Sequence, residues 1–243
     1  MASERPLAYV LVCLVSTAAT ARADLISNGG FESGFTGWTV VNEAGSFPGS
    51  NWFVQSGTFS PTSGFAVPAP PGPTHAAMTD QSGPGSHALL QTFVVPGAQS
   101  SVVLSFDLFR GNRNGAYFNP NSLDFNTNPN QQARVDILTA GAGAFDLGAA
   151  VVDNVFQTKP GDPALDAAYL HYMFDITSAV GLGGTFQLRF AETDNQFFFQ
   201  LGVDNVSIVN TPAAVPEPAA ILLLATGLAL VALIGLNRKR LAQ

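Results

Sequence analysis

The sequence predicts an all-β protein, an antiparallel jelly-roll-like β-sandwich, with an N-terminal signal peptide and one C-terminal transmembrane helix. Short runs that alternate apolar and polar residues recur between clusters of Gly, Pro, Asn and Ser, without sustained helical periodicity. Each chain end instead carries an apolar stretch beside basic residues. We expect five segments: signal peptide 1–23, sandwich domain 24–211, Pro-rich linker 212–218, membrane helix 219–236 and basic cytoplasmic tail 237–243.

The first segment has the form of a secretory signal. Residues 7–19 are apolar but too short to span a bilayer comfortably, and Arg5 precedes them. The tripeptide Ala-Arg-Ala at 21–23 has the small-x-small form of a cleavage site, so the mature chain is expected to begin near Asp24. An uncleaved anchor is the alternative, because Glu4 partly offsets the basic charge. Both alternatives predict export.

Alternating runs predict the strands of the sandwich, because successive side chains of a strand point to opposite faces. Segments 56–73 and 111–130, rich in Gly, Pro and Asn, are predicted to be long loops, either functional or mobile. Further strands are expected at 89–95, 134–138, 151–157 and 200–209. The inward positions expected in three runs are Val102, Leu104, Phe106 and Leu108; Leu170, Tyr172, Phe174 and Ile176; and Phe186, Leu188 and Phe190.

The C-terminal apolar run is long enough to cross a membrane. Residues 219–236 carry no charge and, as a helix at about 1.5 Å per residue, would reach roughly 27 Å. The basic cluster Arg238, Lys239 and Arg240 follows at once, so this end is expected to stay in the cytoplasm and the body of the protein outside. The alternative is a buried core helix, which a run that is apolar on all sides and followed by three basic residues does not favour.

The same end carries a recognisable motif. Val-Pro-Glu-Pro at 215–218, an apolar span and a short basic tail, together with an N-terminal signal, resemble the PEP-CTERM sorting signal of exported proteins of Gram-negative bacteria. The resemblance implies that Pro216, Glu217 and Pro218 form the recognition motif. It also implies processing by an exosortase-type protease and a helix that anchors the chain in the inner membrane before delivery to the cell surface or an extracellular polysaccharide matrix.

Composition limits what the predicted domain can bind. Residues 24–211 suffice for one domain with a sizeable core, and the chain's one cysteine, Cys13, lies in the signal peptide, so the mature domain has no disulfide. Five basic against fifteen acidic side chains in this span give a net charge of −10. This balance argues against binding to nucleic acid or to anionic lipid, since both require basic patches.

The opening and closing segments of the domain carry a second resemblance. LISNGGFESGFTGWTV at the start and QLGVDNVSIV at the end are similar to the galactose-binding-like jelly rolls common among carbohydrate-binding modules. The resemblance implies that the two segments meet and that a structural Ca²⁺ ion lies there. Its ligands would be the carboxylates of Glu32 and Asp204, with backbone carbonyls around Asn28.

The alternation of side chains along the closing strand gives a second argument about Asp204. It places Asp204 on the side of Val206 and Ile208, which is expected to face the core, where an unpaired carboxylate is costly. Calcium, which accepts six to eight oxygen ligands, would compensate it. The alternative is that Asp204 caps backbone amides in a turn and that Glu32 is solvated.

Aromatic residues are candidates for sugar stacking. Trp38 starts an alternating run and is assigned to the core, whereas Trp52 is left open. The run of three phenylalanines at 197–199 cannot place all its rings on one face of a strand, so at least one faces outward or covers a partner. The predicted ligand-binding residues lie instead in the loop GNRNGAYFNPN, the alternative being a mobile surface loop; they are Arg113, Tyr117 and Phe118.

No catalytic motif emerges from the sequence. The histidines are scattered, no Gly-x-Ser-x-Gly turn is present, and the mature domain has no cysteine nucleophile. Acidic pairs such as Asp107 and Asp136 could serve glycoside hydrolysis, but sequence does not place them at catalytic separation. The first hypothesis is therefore an exported, non-catalytic module that makes weak contact with polysaccharide. A structural matrix protein without a discrete ligand is the second, and a glycan-processing enzyme the third.

Overall fold

Two five-stranded antiparallel sheets form the body of the protein, whose computed structural model describes residues 23–81, 83–213, 225 and 227–229. The first sheet comprises Thr39–Asn42 (β1), Gly85–Val95 (β4), Gly184–Asp194 (β9), Gln131–Thr139 (β6) and Val151–Gln157 (β7), in that spatial order. The second comprises Phe53–Gln55 (β2), Ala76–Met78 (β3), Phe199–Pro212 (β10), Gln99–Asn112 (β5) and Leu170–Asp175 (β8), also in spatial order. A short helix, Thr177–Val180 (α1), connects β8 to β9. The predicted all-β class and antiparallel pairing are confirmed.

The two sheets pack face to face over an apolar core. The inward residues expected on β5 are all fully buried, and the Phe106 ring meets that of Phe190 on the opposite sheet edge-on, with 5.2 Å between ring centroids. Tyr172 and Phe174 on the edge strand β8 stack on Phe106 as expected, but Leu170, predicted inward, is 42% exposed because it begins this short edge strand.

Both tryptophans belong to the core. Trp38 is buried, packs against Phe31 and Phe190, and donates its indole N–H to the carbonyl of Asn28 at 3.1 Å. The predicted core position of Trp38 is thus confirmed. Trp52, left open by the sequence, is buried as well.

A β-bulge in β10 changes the expected position of Asp204. The pairing of β10 with β5 shifts register between Asp204 and Ser207, and Asn205 adopts a positive φ of 49°. Before the bulge Val203 faces the core opposite Leu108, so Asp204, opposite Asp107, lies on the outer face of the sheet. The predicted inward position of Asp204 is therefore wrong, because one extra residue reverses strand parity at this point.

The sandwich has two distinct ends. The loop end carries segments 79–84, 113–130, 158–169 and 195–198, and the opposite, terminal end carries the turns 96–98 and 181–183. Asp24 bridges Val209 near the terminal end, where β10 also leaves the sheet. The opening segment then runs beside β10, and Val206 donates its N–H to the Gly29 carbonyl at 3.0 Å. A Cβ on Gly29 would lie 1.9 Å from the Val206 carbonyl oxygen, so this close approach requires glycine.

The predicted targeting segments fall largely outside this description. The signal peptide 1–23 is described only at its last residue, and the span 219–236 only at residues 225 and 227–229. None of the helices in the described part of the chain is long and apolar enough to cross a membrane.

Candidate functional site

The space between the sheets is polar at the loop end. Along β9 the inward positions are first apolar, Leu188 and Phe190, and then acidic, Glu192 and Asp194. Glu192 lies between His87 on β4 and Ala133 on β6, and the next inward row places Asp194 between Gly85 and Gln131. The end of the interior nearest the loops is thus lined by side chains that can form hydrogen bonds or carry charge.

Three carboxylates are buried here, and they differ in their hydrogen bonds. Asp80 is well satisfied: Ser63 donates both its N–H and its hydroxyl, and the Gln200 side chain donates at 2.8 Å. Glu192 is fully buried, and neither of its carboxylate oxygens has a donor at ordinary hydrogen-bond distance and angle, although the nearby Thr79 side chain acts to lower its pKa. Oδ2 of Asp194, which is 2% exposed, has no such donor either. Buried polar atoms without partners are uncommon in proteins and indicate a strained or functional place.

Burial changes the pKa of Glu192, of Asp194 and of the neighbouring His87. Loss of hydration raises the pKa of Glu192 and of Asp194 well above the usual range of carboxylic acids, and the negative charge of Asp80 adds to both effects. Burial lowers the pKa of the neighbouring His87 to about 4, so this imidazole is neutral at pH 7. Its Nδ1 lies 2.7 Å from Oδ1 of Asn42, and its Nε2 has no hydrogen-bond partner.

A cleft opens from this region to the surface. Its volume is about 230 Å³. Asp194 contributes to its lining together with the turn between β9 and β10 and the segment before β4. Phe197 stands at this turn with half of its surface exposed, whereas Phe199, two residues later, is fully buried. The expectation that the three phenylalanines cannot share one face is confirmed. The lining residues are Gly83, Pro84, Asp194, Asn195, Gln196, Phe197 and Phe198.

Aromatic rings continue from the cleft along the loop end. Phe197 and Phe198 meet at 5.0 Å between ring centroids, and Phe198 meets Phe65 at 5.3 Å, both edge-on. The guanidinium of Arg113 lies over the Phe65 ring at 4.8 Å and donates from Nε to the side-chain oxygen of Gln200 at 2.9 Å. Three separate segments of the chain therefore build one aromatic wall with a cation at its end.

The structure separates the three predicted ligand-binding residues. Arg113 borders the aromatic wall, and its backbone N–H donates to the Phe198 carbonyl at 2.9 Å. Tyr117 is only 1% exposed and packs on Phe199, with its hydroxyl donating to the Ala164 carbonyl at 3.2 Å, so its ring is not available as a surface platform. Phe118 is half-buried and pairs through its backbone with Gln131.

The predicted metal ligands Glu32 and Asp204 contact one segment, residues 72–75. Glu32 accepts hydrogen bonds from the backbone and hydroxyl of Thr74 and from the backbone of His75, and these bonds lower its pKa to about 2. Asp204 accepts from the N–H of Gly72 at 2.8 Å. Burial raises the pKa of Asp204 to about 6. Asp204 therefore caps backbone amides, as the alternative interpretation of the sequence expected, whereas Glu32, expected there to be solvated, is held by Thr74 and His75.

This arrangement does not fit a calcium ion. Every carboxylate oxygen of Glu32 and Asp204 already faces an N–H or hydroxyl donor, and the Asn28 carbonyl accepts from Trp38 and from the backbone of Phe31. Calcium requires six to eight oxygen ligands directed at one point. Within residues 23–81 and 83–213, no group of three or more His, Cys, Asp or Glu side chains is arranged to hold a metal ion.

The acidic pair considered for glycoside hydrolysis is not brought together. Asp107 lies on the outer face of the second sheet, beside His171 and Asn205. Asp136 lies on the outer face of the first sheet, where Arg134 and Arg189 bind it at 2.7 and 2.6 Å. The two carboxylates therefore face away from each other across the sandwich.

Sequence reasoning missed Asp80, Glu192 and Asp194. The alternation that places Leu188 and Phe190 inward extends without interruption to Glu192 and Asp194. Extending the alternation of inward and outward side chains to the end of β9 would therefore have identified these two acids as inward-facing. No comparable signal marks Asp80, which follows a strand of only three residues.

Comparisons with known proteins bear mainly on the C-terminal segment. No curated protein sequence matches the chain. One similar solved structure is TmCBM61 in complex with β-1,4-galactotriose, at 12% identity and a TM-score of 0.47, covering 77% of this chain and 99% of that one. The K3 cleaved adhesin domain of Lys-gingipain from Porphyromonas gingivalis has 15% identity, a TM-score of 0.47 and coverages of 78% and 99%. A Stig cyclase from Fischerella sp. TAU has 17% identity, a TM-score of 0.47 and coverages of 80% and 100%.

The C-terminal segment is the part of the chain that matches a family model. Residues 214–240 match the PEP-CTERM protein-sorting motif. The predicted motif residues Pro216, Glu217 and Pro218 and the basic cluster at 238–240 fall within this match, outside the residues that the structure describes. The chain therefore carries a PEP-CTERM sorting motif after the last strand that the structure describes.

Proposed function

We propose that the protein is an exported, non-catalytic jelly-roll module that binds polysaccharide through the loop-end cleft. An exosortase-type protease would act on the sorting motif and deliver the domain to the cell surface or to an exopolysaccharide matrix. The observation that carries the binding proposal is that one cleft is lined both by Phe197, whose ring is half exposed, and by Asp194, a buried acid whose Oδ2 has no hydrogen-bond partner.

The chemistry of this combination suits a sugar. Aromatic rings pack against the apolar faces of pyranose rings, and a few fixed polar groups orient the ligand through its hydroxyls. Phe197 supplies the ring, while Asp194, Asn195 and Gln196 line the same cleft with acceptors and donors. Arg113, which the sequence predicted, lies next to this cleft, because its backbone N–H donates to the carbonyl of Phe198. The proposed binding site is therefore this cleft and not a surface formed by Tyr117, which is buried, and Phe118.

A glycan array, followed by calorimetry on the full chain in mild detergent, tests the proposal. Phe197→Ala is expected to weaken binding of the best array ligand about tenfold, because stacked aromatic contacts contribute roughly 0.5–1.5 kcal/mol beyond buried area. Leu182→Ala is the matched control, since Leu182 is 93% exposed at the terminal end. Unchanged affinity in Phe197→Ala would show that this cleft is not the binding site.

The alternatives give different results in the same experiments. A structural matrix protein would bind no glycan but would self-associate in light scattering, more strongly with added Ca²⁺. A glycan-processing enzyme would turn over matrix polysaccharide, and substitution of one acidic residue would abolish turnover.

Calcium at Asn28, Glu32 and Asp204 stays a prediction. Saturable binding in calorimetry that is lost in both Glu32→Ala and Asp204→Ala would establish it, and would require segment 72–75 to release these carboxylates. The hydrogen bonds described above lead us to expect instead a melting temperature that EDTA does not change.

A further inference from the structure

The loop end buries three acidic side chains, and one cation lies near them. Asp80, Glu192 and Asp194 are all at most 2% exposed, and Arg113 is the cation that approaches them from the strand end of β5. Its guanidinium donates to Gln200 and to the Ala66 carbonyl, so no carboxylate is directly paired with it. The remaining titratable neighbour, His87 on β4, is neutral at pH 7.

Elsewhere in the domain, two buried carboxylates are paired with guanidinium groups. Arg110 forms a bidentate ion pair with Asp166, and Asp136 forms ion pairs with both Arg134 and Arg189. Buried charges in proteins are normally paired in this way, because an isolated buried charge is costly. By contrast, burial raises the pKa of Glu192 and of Asp194, which have no guanidinium partner. A cation from outside the chain would turn these neutral acids into paired carboxylates.

The surroundings indicate what kind of cation this is. Among the described residues no acidic group is arranged for a metal ion. The cleft is instead flanked by Phe197 and Phe198, and aromatic faces attract ammonium groups. An ammonium has three N–H donors. The carboxylate of Asp194, a residue that lines the cleft, can accept from them once its side chain turns toward the cleft, since its Oδ2 is enclosed without a partner.

We propose that the cleft binds the protonated primary amine of an amino sugar, so that the ligand is a polysaccharide with free, non-acetylated amino groups. This inference rests on the proposed function and names the substrate class of the same site. The volume of about 230 Å³ lies below the ~300–1,000 Å³ of typical small-molecule pockets, so the cleft takes a single sugar ring of a longer chain.

Binding of an ammonium differs from binding of a neutral sugar in its proton balance. Burial holds protons on Asp194 and Glu192, and an ammonium favours the ionised carboxylate, so binding releases a proton to the buffer. Affinity for the amine is therefore expected to rise between pH 5 and pH 7 and to fall with added salt. A neutral ligand would show neither dependence.

Calorimetry on the full chain in mild detergent, with oligomers of glucosamine, N-acetylglucosamine and glucose of equal length, tests the inference. We expect the glucosamine oligomer to bind at least about tenfold more tightly than the other two, because a hydrogen bond between charged groups is stronger than one between neutral groups. The heat of binding should also depend on the ionisation enthalpy of the buffer, which reports the proton released.

Two variants separate recognition of the amine from folding. Asp194→Asn keeps the shape of the side chain and is expected to abolish the preference for glucosamine, whereas Asp107→Asn, on the outer face of the second sheet, should retain it. If Asp194→Asn fails to fold, salt and buffer dependence of the unaltered chain still decide the question.

Each other result has a definite meaning. Equal affinity for all three oligomers, or a preference for the acetylated one, overturns the amine inference and leaves the glycan-binding function in place. Binding of a lysine-rich peptide as tight as that of glucosamine oligomers overturns the sugar class. Absence of binding to any glycan, on the array and in solution, overturns the proposed function itself.

Discussion

At the scale of single residues, the buried carboxylates of this domain have two opposite kinds of surroundings. Asp136 is fully buried between two guanidinium groups and is neutralised within the chain. Glu192, equally buried, has no guanidinium partner and lies beside a neutral histidine. The first arrangement contributes to a stable, closed structure. The second reduces stability at neutral pH, a cost that proteins commonly carry where a ligand binds.

Stability should therefore fall as pH rises from 6.5 to 8. The folded state holds protons on Glu192 and Asp194 that the unfolded chain has already released, so the free energy of unfolding decreases in this range, by at most about 1.4 kcal/mol per pH unit for each group. His87 has a lowered pKa and acts in the opposite direction, but only below pH 6.5. Melting temperatures of the full chain across this range measure the slope.

Glu192→Gln should reduce this slope, since glutamine does not titrate. Glu32→Gln is the matched control: its pKa is about 2, so its loss changes stability by the same amount at every pH in the range. An identical slope in Glu192→Gln and in the unaltered chain would contradict the assignment.

At the scale of elements, the bulge in β10 determines which residues face the core. Val203 packs inward before it and Val206 and Ile208 after it, although an uninterrupted strand would place Val203 on the opposite side from the other two. Asn205 makes the bulge by adopting a left-handed backbone, and its side chain donates to Asp107 at 2.7 Å. The bulge is thus what lets Asp204 lie on the outer face under segment 72–75.

Asn205→Val should destabilise the domain more than Asn205→Gly does. Both variants lose the hydrogen bond to Asp107, but only valine adds the strain of a branched side chain at positive φ, which costs about 1–2 kcal/mol. Urea unfolding of the two variants measures the difference. Equal midpoints would show that the left-handed conformation is not required at this position.

The alternation of apolar and polar residues predicted the longer strands and most of the core, because this pattern is contained within a single strand. It failed for features that depend on contacts between segments far apart in the sequence or on strands too short to show a pattern. The bulge at Asn205 has no signature in the apolar pattern, and β2 and β3, of three residues each, are too short to show any period. The cleft and its aromatic wall join residues near positions 65, 113 and 198, which only the folded sheets bring together.

At the scale of the whole molecule, the sorting motif and the sandwich are expected to act independently. Glu217→Ala, within the matched motif, should leave the protein in the membrane fraction and reduce its delivery to the cell surface. Cell fractionation and protease accessibility measure this, and the thermal melting curve should not change. Thr211→Ala, outside the matched residues, is the control. Normal surface delivery of Glu217→Ala would separate this chain from exosortase-type processing.

The position of the cleft at the far end of β10 has a mechanical consequence. This strand of 14 residues runs from the loop end to the point where the chain continues toward the sorting motif, a length of about 45 Å. The strand is hydrogen-bonded along its length to β5, so it acts as a stiff spacer and not as a tether. The turn at Phe197 and the point where the chain leaves the sandwich are therefore held at opposite ends of one stiff strand, so a ligand in the cleft is bound about 45 Å from the C-terminal end of β10.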